Sequence, residues 1–197
     1  MDQETIIGKA KDYARELLGG NCGGHDLQHT LRVYGNALAI AETEPAADMF
    51  IISVAALLHD VDDYKLFNTT DYQNARTFLK DNFVPEGLTQ RIIETIDSVS
   101  FSKNRDRRPE TLEGQIVQDA DRLDALGAIG IARTFAFGGE HHRPMEQTFR
   151  HFDEKLLLLK DMMNTKAAKT IAKKRHEFIE NYLRELKQEI KASELPR

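Results

Sequence analysis

Residues 49–60 read MFIISVAALLHD, and this stretch decides the fold. The ten residues from Met49 to Leu58 are apolar except for Ser53, about half of the roughly 20 needed to span a bilayer. Too short for a membrane and too apolar for a surface helix, the run predicts a helix over 46–59, set off by Pro45 and buried on nearly every side. Such a helix needs others wrapped around it. Apolar residues recur at helical spacing through most of the chain and β-branched alternation is hard to find, which predicts an all-α bundle.

Outward from that run, 3–18 predicts an amphipathic helix (Ile6, Ile7, Ala10, Tyr13, Ala14, Leu17) stopped by Gly19 and Gly20. A second follows over 25–43, with Leu27, Leu31, Tyr34, Leu38 and Ala41 on one face. Beyond the run, helices are predicted at 71–83, at 86–100 behind Pro85, and at 112–136 with an interruption near Gly127 and Gly130. Residues 102–109 and 137–144 read as loops. Helix resumes over 146–163, and a cap at Asn164 or Thr165 opens a long C-terminal helix. Its stripe is Ala168, Ile171, Ala172, Phe178, Ile179, Tyr182, Leu183, Leu186 and Ile190. At roughly 150 residues per domain, 197 residues imply a single domain over 1–197, with a chemistry-bearing core at about 25–139 and the helices of 146–193 packed on it.

Composition narrows the class. Hydrophobic residues are 41 % and charged residues 30 % of the chain, enough apolar surface for a core and too much for a disordered protein. Lys plus Arg is 27 against 32 for Asp plus Glu, a net charge of −5 with no long basic block, so neither nucleic acid nor an anionic membrane is the expected partner. The acidic start Met1, Asp2, Gln3, Glu4 lacks the charge and apolar run of an export signal. The single cysteine, Cys22, cannot form an intrachain disulfide and reads as an inert small residue in a turn. Together these give the expectation of a cytoplasmic protein.

The central helix delivers His59 and Asp60 side by side from an apolar environment, where both must find partners. Metal ligation satisfies both. His29 lies thirty residues before His59, in Gly24–Val33, and Asp121 sixty-one after Asp60, in the run Asp119, Ala120, Asp121, Arg122, Leu123, Asp124. Two imidazoles and two carboxylates suit Mn²⁺, Fe²⁺, Co²⁺, Ni²⁺ or Zn²⁺ better than Ca²⁺, with Mn²⁺ the first expectation and Mg²⁺ a further alternative. In an octahedral shell such a set leaves two positions open, which marks catalysis rather than a structural site.

On these residues the sequence resembles the HD superfamily of metal-dependent phosphohydrolases, whose order is His, then His-Asp, then Asp, each from a separate helix of an α bundle. His29 with Arg32 and Val33 matches the first motif, Leu57 to Asp60 the second, and Ala120, Asp121, Arg122 the third. The run 118–139, QDADRLDALGAIGIARTFAFGG, is similar to the small single-domain bacterial YpgQ/YedJ-type branch. That resemblance implies hydrolysis of nucleoside triphosphates to monophosphate and pyrophosphate, with the metal held by His29, His59, Asp60 and Asp121. Superfamily members that hold two metals insert extra histidines between the His-Asp pair and the last Asp. Residues 61–120 contain none, so one divalent metal is expected. His141, His142, His151 and His176 are left outside the metal shell, although the His141–His142 pair beside a glycine turn could line a pocket.

Alarmone-hydrolysing members carry an acidic pair close to the place of Asp62 and Asp63, which implies a carboxylate that orients or deprotonates the attacking water. Asp63 is the first choice: three residues past Asp60, it shares that ligand's face if the helix continues. Lys65 and Arg122 offer positive charge to phosphates, Arg122 alternatively pairing with a neighbouring Asp. His25, one turn before His29, is a candidate phosphate contact, and Asp124 a candidate to support a ligand by hydrogen bonding. The loop Lys103, Arg105, Arg107, Arg108 reads as solvated more readily than as a polyphosphate clamp. The rivals are a 5′-nucleotidase or alarmone hydrolase with the same metal set, and a nucleotide-binding module without turnover. An iron oxygenase on this scaffold needs a second metal site, against which the histidine-free interval speaks. The oligomeric state stays open, a homodimer included.

Overall fold

The computed structural model describes residues 2–20, 26–100, 104 and 107–193, with backbone alone at 192 and 193. Cys22, His25, Lys103 and Arg105 lie outside the described residues. Among those described there are nine α-helices, one 3₁₀ helix and no strand, the all-α fold expected from the periodicity. No described helix is long and apolar enough to cross a membrane. Residue contacts cluster into two compact units, Met1–Asp121 and Arg122–Arg197.

The first unit is organised by α3 (Met49–Leu58), against which α1 (Gln3–Leu18), α2 (Leu27–Ala41) and α5 (Glu86–Asp97) all pack. Every residue from Phe50 to Leu58 is buried. Full burial of a side chain such as Ile51, Ile52, Leu57 or Leu58 contributes about 1.5–3 kcal/mol each. The helix begins at Met49, not at 46, because Asp48 takes an extended conformation and accepts the N–H of Ile51 at 3.2 Å as N-cap. It ends at Leu58. His59 keeps right-handed helical angles, but its ring nitrogen Nδ1 lies 2.9 Å from the Ala56 carbonyl, the group that Asp60 N–H would use in a continuing helix. The unit is completed by α4 (Gln73–Asp81), which starts two residues later than predicted, and by most of α6 (Leu112–Asp124).

In the second unit α7 (Gly127–Glu140), α8 (Met145–Glu154), the 3₁₀ helix Leu156–Met162 and α9 (Lys166–Ser193) pack on one another. The interruption expected near Gly127 is real. Gly127 has φ 73°, which L side chains rarely adopt, and an added Cβ would lie 3.1 Å from Arg175 Cγ. Residues 137–140, expected in a loop, instead finish α7, and Gly138 there permits close helix approach: a Cβ would fall 2.7 Å from Thr148 Oγ1. The predicted helix 146–163 breaks at Lys155 (φ −134°, ψ −62°), after which Leu156 and Leu159 are buried at the three-residue spacing a 3₁₀ helix aligns. Along α9 the buried set is Ala168, Ala172, His176, Ile179 and Leu183. His176 holds a place in that stripe, and Phe178, expected on it, is 51 % exposed.

Candidate metal centre

Local structure aims each expected ligand. Asp26 is the N-cap of α2 and its Oδ1 accepts the backbone N–H of His29 at 2.7 Å, which fixes His29 in the first turn. His59 is anchored by its Nδ1 contact to the Ala56 carbonyl. With Nδ1 as the donor, Nε2 keeps its lone pair for a cation, the arrangement by which metal-binding imidazoles are oriented. Asp121 comes from α6, and Asn36, seven residues and two turns along α2 from His29, donates its Nδ2 to the Ala120 carbonyl at 3.3 Å. That bond ties the two ligand-bearing helices in register.

The four side chains converge. His29 Nε2 lies 3.3 Å from His59 Nε2, 3.4 Å from Asp60 Oδ2 and 3.3 Å from Asp121 Oδ1. His59 Nε2 lies 3.3 Å from Asp60 Oδ2. The imidazoles meet edge to face at 68°, with centroids 5.3 Å apart. Side-chain exposure is 2 %, 3 % and 8 % for His29, His59 and Asp60, whereas Asp121 keeps an accessible edge at 23 %. Ligand atoms of His29, His59 and Asp121 all lie within 4.8 Å of one another, a set that could hold a metal ion, with Asp60 against both imidazoles. Nitrogen and oxygen ligands each about 2.0–2.2 Å from a shared cation stand apart by distances of this size. The donor set therefore fits a divalent ion, whose charge also offsets two neighbouring carboxylates, one of them, Asp60, closed away from water. Burial pushes the Asp121 carboxyl up, but the His29 hydrogen bond and the fields of both histidines outweigh it and hold Asp121 below the usual carboxylate range, in its ligating form.

The other expected residues are placed less uniformly. Because α3 stops at Leu58, Asp63 does not share a helical face with Asp60, and the geometric premise for it is corrected. Asp63 is instead joined to the ligand by a turn, its N–H donating to the Asp60 carbonyl at 3.1 Å. Its Oδ1 accepts the Lys65 N–H at 2.8 Å. Asp62 spends both oxygens on α4, accepting the N–H groups of Asn74 and Ala75 at 2.9 Å each. Lys65 is exposed, its Nζ 5.7 Å from the Tyr64 ring centroid. Arg122 is buried and donates Nη1 to the Met162 carbonyl. Asp124 is 2 % exposed and accepts from Arg133. His25 falls outside the described residues. His141 and His142 are exposed, His141 stacked on Phe137 at 3.9 Å.

Sequence reasoning passed over Asp26 and Asn36. Asp26 carried a readable signal, an Asp just before an apolar-periodic run. Asn36 carried a fainter one, a polar residue seven positions after a ligand on the same helix.

Comparison with known proteins identifies relatives of the whole chain. The HD domain family model matches residues 26–126. YpgQ of Bacillus subtilis is 39 % identical over 191 residues, covering 91 % of each chain. The crystal structure of Bacillus subtilis YpgQ in complex with ADP superposes with a TM-score of 0.83 at 36 % identity, over 96 % of this chain and 97 % of that one. An HD-superfamily hydrolase from Bacillus thuringiensis gives 0.79 at 37 % identity, over 96 % and 99 %.

Proposed function

Since the chain belongs to the HD domain family and is a metal-dependent phosphohydrolase, we propose that it hydrolyses nucleoside triphosphates to monophosphate and pyrophosphate by attack at the α-phosphorus. The observation that carries this reading is the convergence of His29 Nε2, His59 Nε2 and Asp121 Oδ1 on one point, with Asp60 beside them. The ADP bound to the related Bacillus subtilis protein supports a nucleotide as substrate. One divalent ion per chain, Mn²⁺ in first place, is held by His29, His59, Asp60 and Asp121. Bound there, it supplies Lewis acidity toward a phosphate oxygen and toward water.

The remaining work falls to side chains along the exit from α3. Asp63 orients the attacking water and takes its proton on a carboxylate oxygen. Asp62 holds the start of α4 and so keeps its neighbour in place. Lys65 meets phosphate charge from the solvent side, with His25 as a further positive or hydrogen-bonding group, whereas Arg122 is buried against the Met162 carbonyl. Asp124 steadies the end of α6 through Arg133.

Phosphorus NMR of the products from a nucleoside triphosphate panel with Mn²⁺ tests this. Pyrophosphate is expected. Orthophosphate alone marks a nucleotidase or terminal phosphatase, tripolyphosphate a triphosphohydrolase, and either result overturns the assignment of the attacked phosphorus.

A further inference from the structure

Residues 59–72 connect α3 to α4 without regular structure, and they start with two of the proposed ligands. At their far end Asp71 (φ 51°) and Tyr72 (φ 56°) stand in succession in the left-handed region. For non-glycine residues that region costs about 1–2 kcal/mol each, so two in a row persist only where surrounding contacts impose them. Tyr72 occupies the N-cap position of α4, and its side chain does not cap the helix. The duty passes to Asp62, whose two oxygens accept the N–H groups of Asn74 and Ala75. Asn74 returns a bond, donating Nδ2 to the Val61 carbonyl at 2.7 Å. The first turn of α4 and residues 61–62 are thereby one hydrogen-bonded piece, and residues 61–62 lie in sequence between ligand Asp60 and Asp63.

Side-chain contacts help to hold the left-handed pair. Arg76 donates Nε to the Asp71 carbonyl at 3.0 Å and pairs with the Asp71 carboxylate at 3.3 Å. That ion pair is exposed, Asp71 at 80 %, and contributes little. A further contact is the Tyr72 hydroxyl, which donates to Oδ1 of Asp97, an exposed carboxylate at the last residue of α5. Partial burial and this carboxylate push the Tyr72 hydroxyl well above its ordinary value, so it stays a donor across the working pH range. Because α5 packs on α3, the contacts form a closed circuit: α3, the segment 59–62, the start of α4, Tyr72 to Asp97, α5, and α3 again.

We propose that Tyr72 and Asp97 are positioning residues for Asp63: their hydrogen bond closes this circuit and fixes the exit from α3, hence the Asp63 carboxylate relative to His59 and Asp60. The proposal rests on the reading of Asp63 as the water-activating group. Without the latch the left-handed pair relaxes, the first turn of α4 drifts and Asp62 loses its fixed partners. The ligands stay in place, because α2 and α6 carry His29 and Asp121, and the Ala56 carbonyl anchors His59, the C-cap of α3, with Asp60 next to it.

Two measurements on the full chain test this. Hydrogen exchange, run without nucleotide, should show the Asn74 and Ala75 amides exchanging at least about 10-fold faster in Tyr72→Phe than in the parent, with α3 amides unchanged. Steady-state kinetics on the metal-loaded protein should show kcat lower by about 10- to 10²-fold in Tyr72→Phe and Asp97→Ala, with KM and metal content retained. The double variant should be no slower than the worse single one. Asp97→Asn, which keeps an acceptor for the hydroxyl, should recover most of what Asp97→Ala loses. Protected Asn74 and Ala75 amides in Tyr72→Phe overturn the latch. Faster exchange there with unchanged kcat overturns its positioning role, as does acceleration spread equally over α3. Absence of turnover in the parent overturns the functional reading instead, and the two failures are distinguishable because the exchange comparison uses no substrate.

Discussion

The chain leaves α3 through His59, Asp60, Asp62 and Asp63, whereas α6 carries Asp119, Asp121 and Asp124 inside its final turns. Both places set carboxylates at a helix C-terminus, where the helix dipole disfavours negative charge. At the exit from α3 the acids accept backbone amides: Asp62 those of Asn74 and Ala75, Asp63 that of Lys65. At the end of α6 one carboxylate is answered by a guanidinium instead, and two further arginines donate to backbone carbonyls. Arg133 donates to the Asp124 carboxylate, Arg175 donates to the Leu123 carbonyl at 2.6 Å, and Arg122 reaches the Met162 carbonyl. Amides orient a carboxylate and leave its charge in place. Guanidiniums neutralise it. On the proposed reading the α3 exit holds negative charge for a cation and a water, and the α6 end is scaffolding that holds Asp121 still.

The strongest test of that contrast is Asp60→Ala. The expected outcome is loss of the bound metal, from about one equivalent per chain to none, and loss of turnover, with the helical circular dichroism kept. The bundle's apolar stripes survive the change, whereas a carboxylate against both imidazoles does not. Stoichiometric metal and full rate in this variant would remove Asp60 from the centre.

Next in size is the division of labour between the two neighbouring acids. Asp63→Asn should lower kcat by about 10²- to 10⁴-fold, the usual range for removing a general base, with metal content and melting temperature unchanged. Asp62→Asn keeps one acceptor oxygen and places an amide where Asp62 accepts a second N–H. Its main expected effect is therefore lower stability, by about 1–2 kcal/mol, read in urea unfolding. If Asp62→Asn alone produces the large kinetic drop, the two roles are exchanged.

Much of this was legible in residues 49–60. An apolar run with no polar face can only be a central helix, and a His-Asp pair at its end needs partners that His29 and Asp121 supply. The exit from α3 was not legible, because the His59 ring occupies the Ala56 carbonyl and ends the helix, a contact that periodicity does not encode. Nor was the double use of glycine. Gly127 breaks a helix through its positive φ, whereas Gly138 sits inside one to admit Thr148, and both read as turn signals in sequence. Phe178 misled for a related reason: the face of α9 is set by Ala168, Ala172, His176, Ile179 and Leu183, and a histidine in the stripe hides its phase.

The last expected effect concerns the α6 end, and it probes stability rather than chemistry. Arg133→Met removes the guanidinium from a carboxylate that is 2 % exposed. Stranding a buried charge costs about 3–5 kcal/mol where both partners are sealed. Arg133 is itself 26 % exposed, and Arg175 lies close enough to Asp124 to feel its field, so about 2 kcal/mol is expected. In the melting temperature this is a fall of about 4–8 °C, with metal content kept. Adding Asp124→Leu should then restore most of the loss, because the buried charge that lost its Arg133 contact is gone and an apolar side chain of similar size takes its place. If the double variant instead melts lower than Arg133→Met, Asp124 has a partner in the fold that matters more than Arg133. The α6 end then depends on its carboxylate as the α3 exit does, and the contrast between neutralised and oriented acids fails.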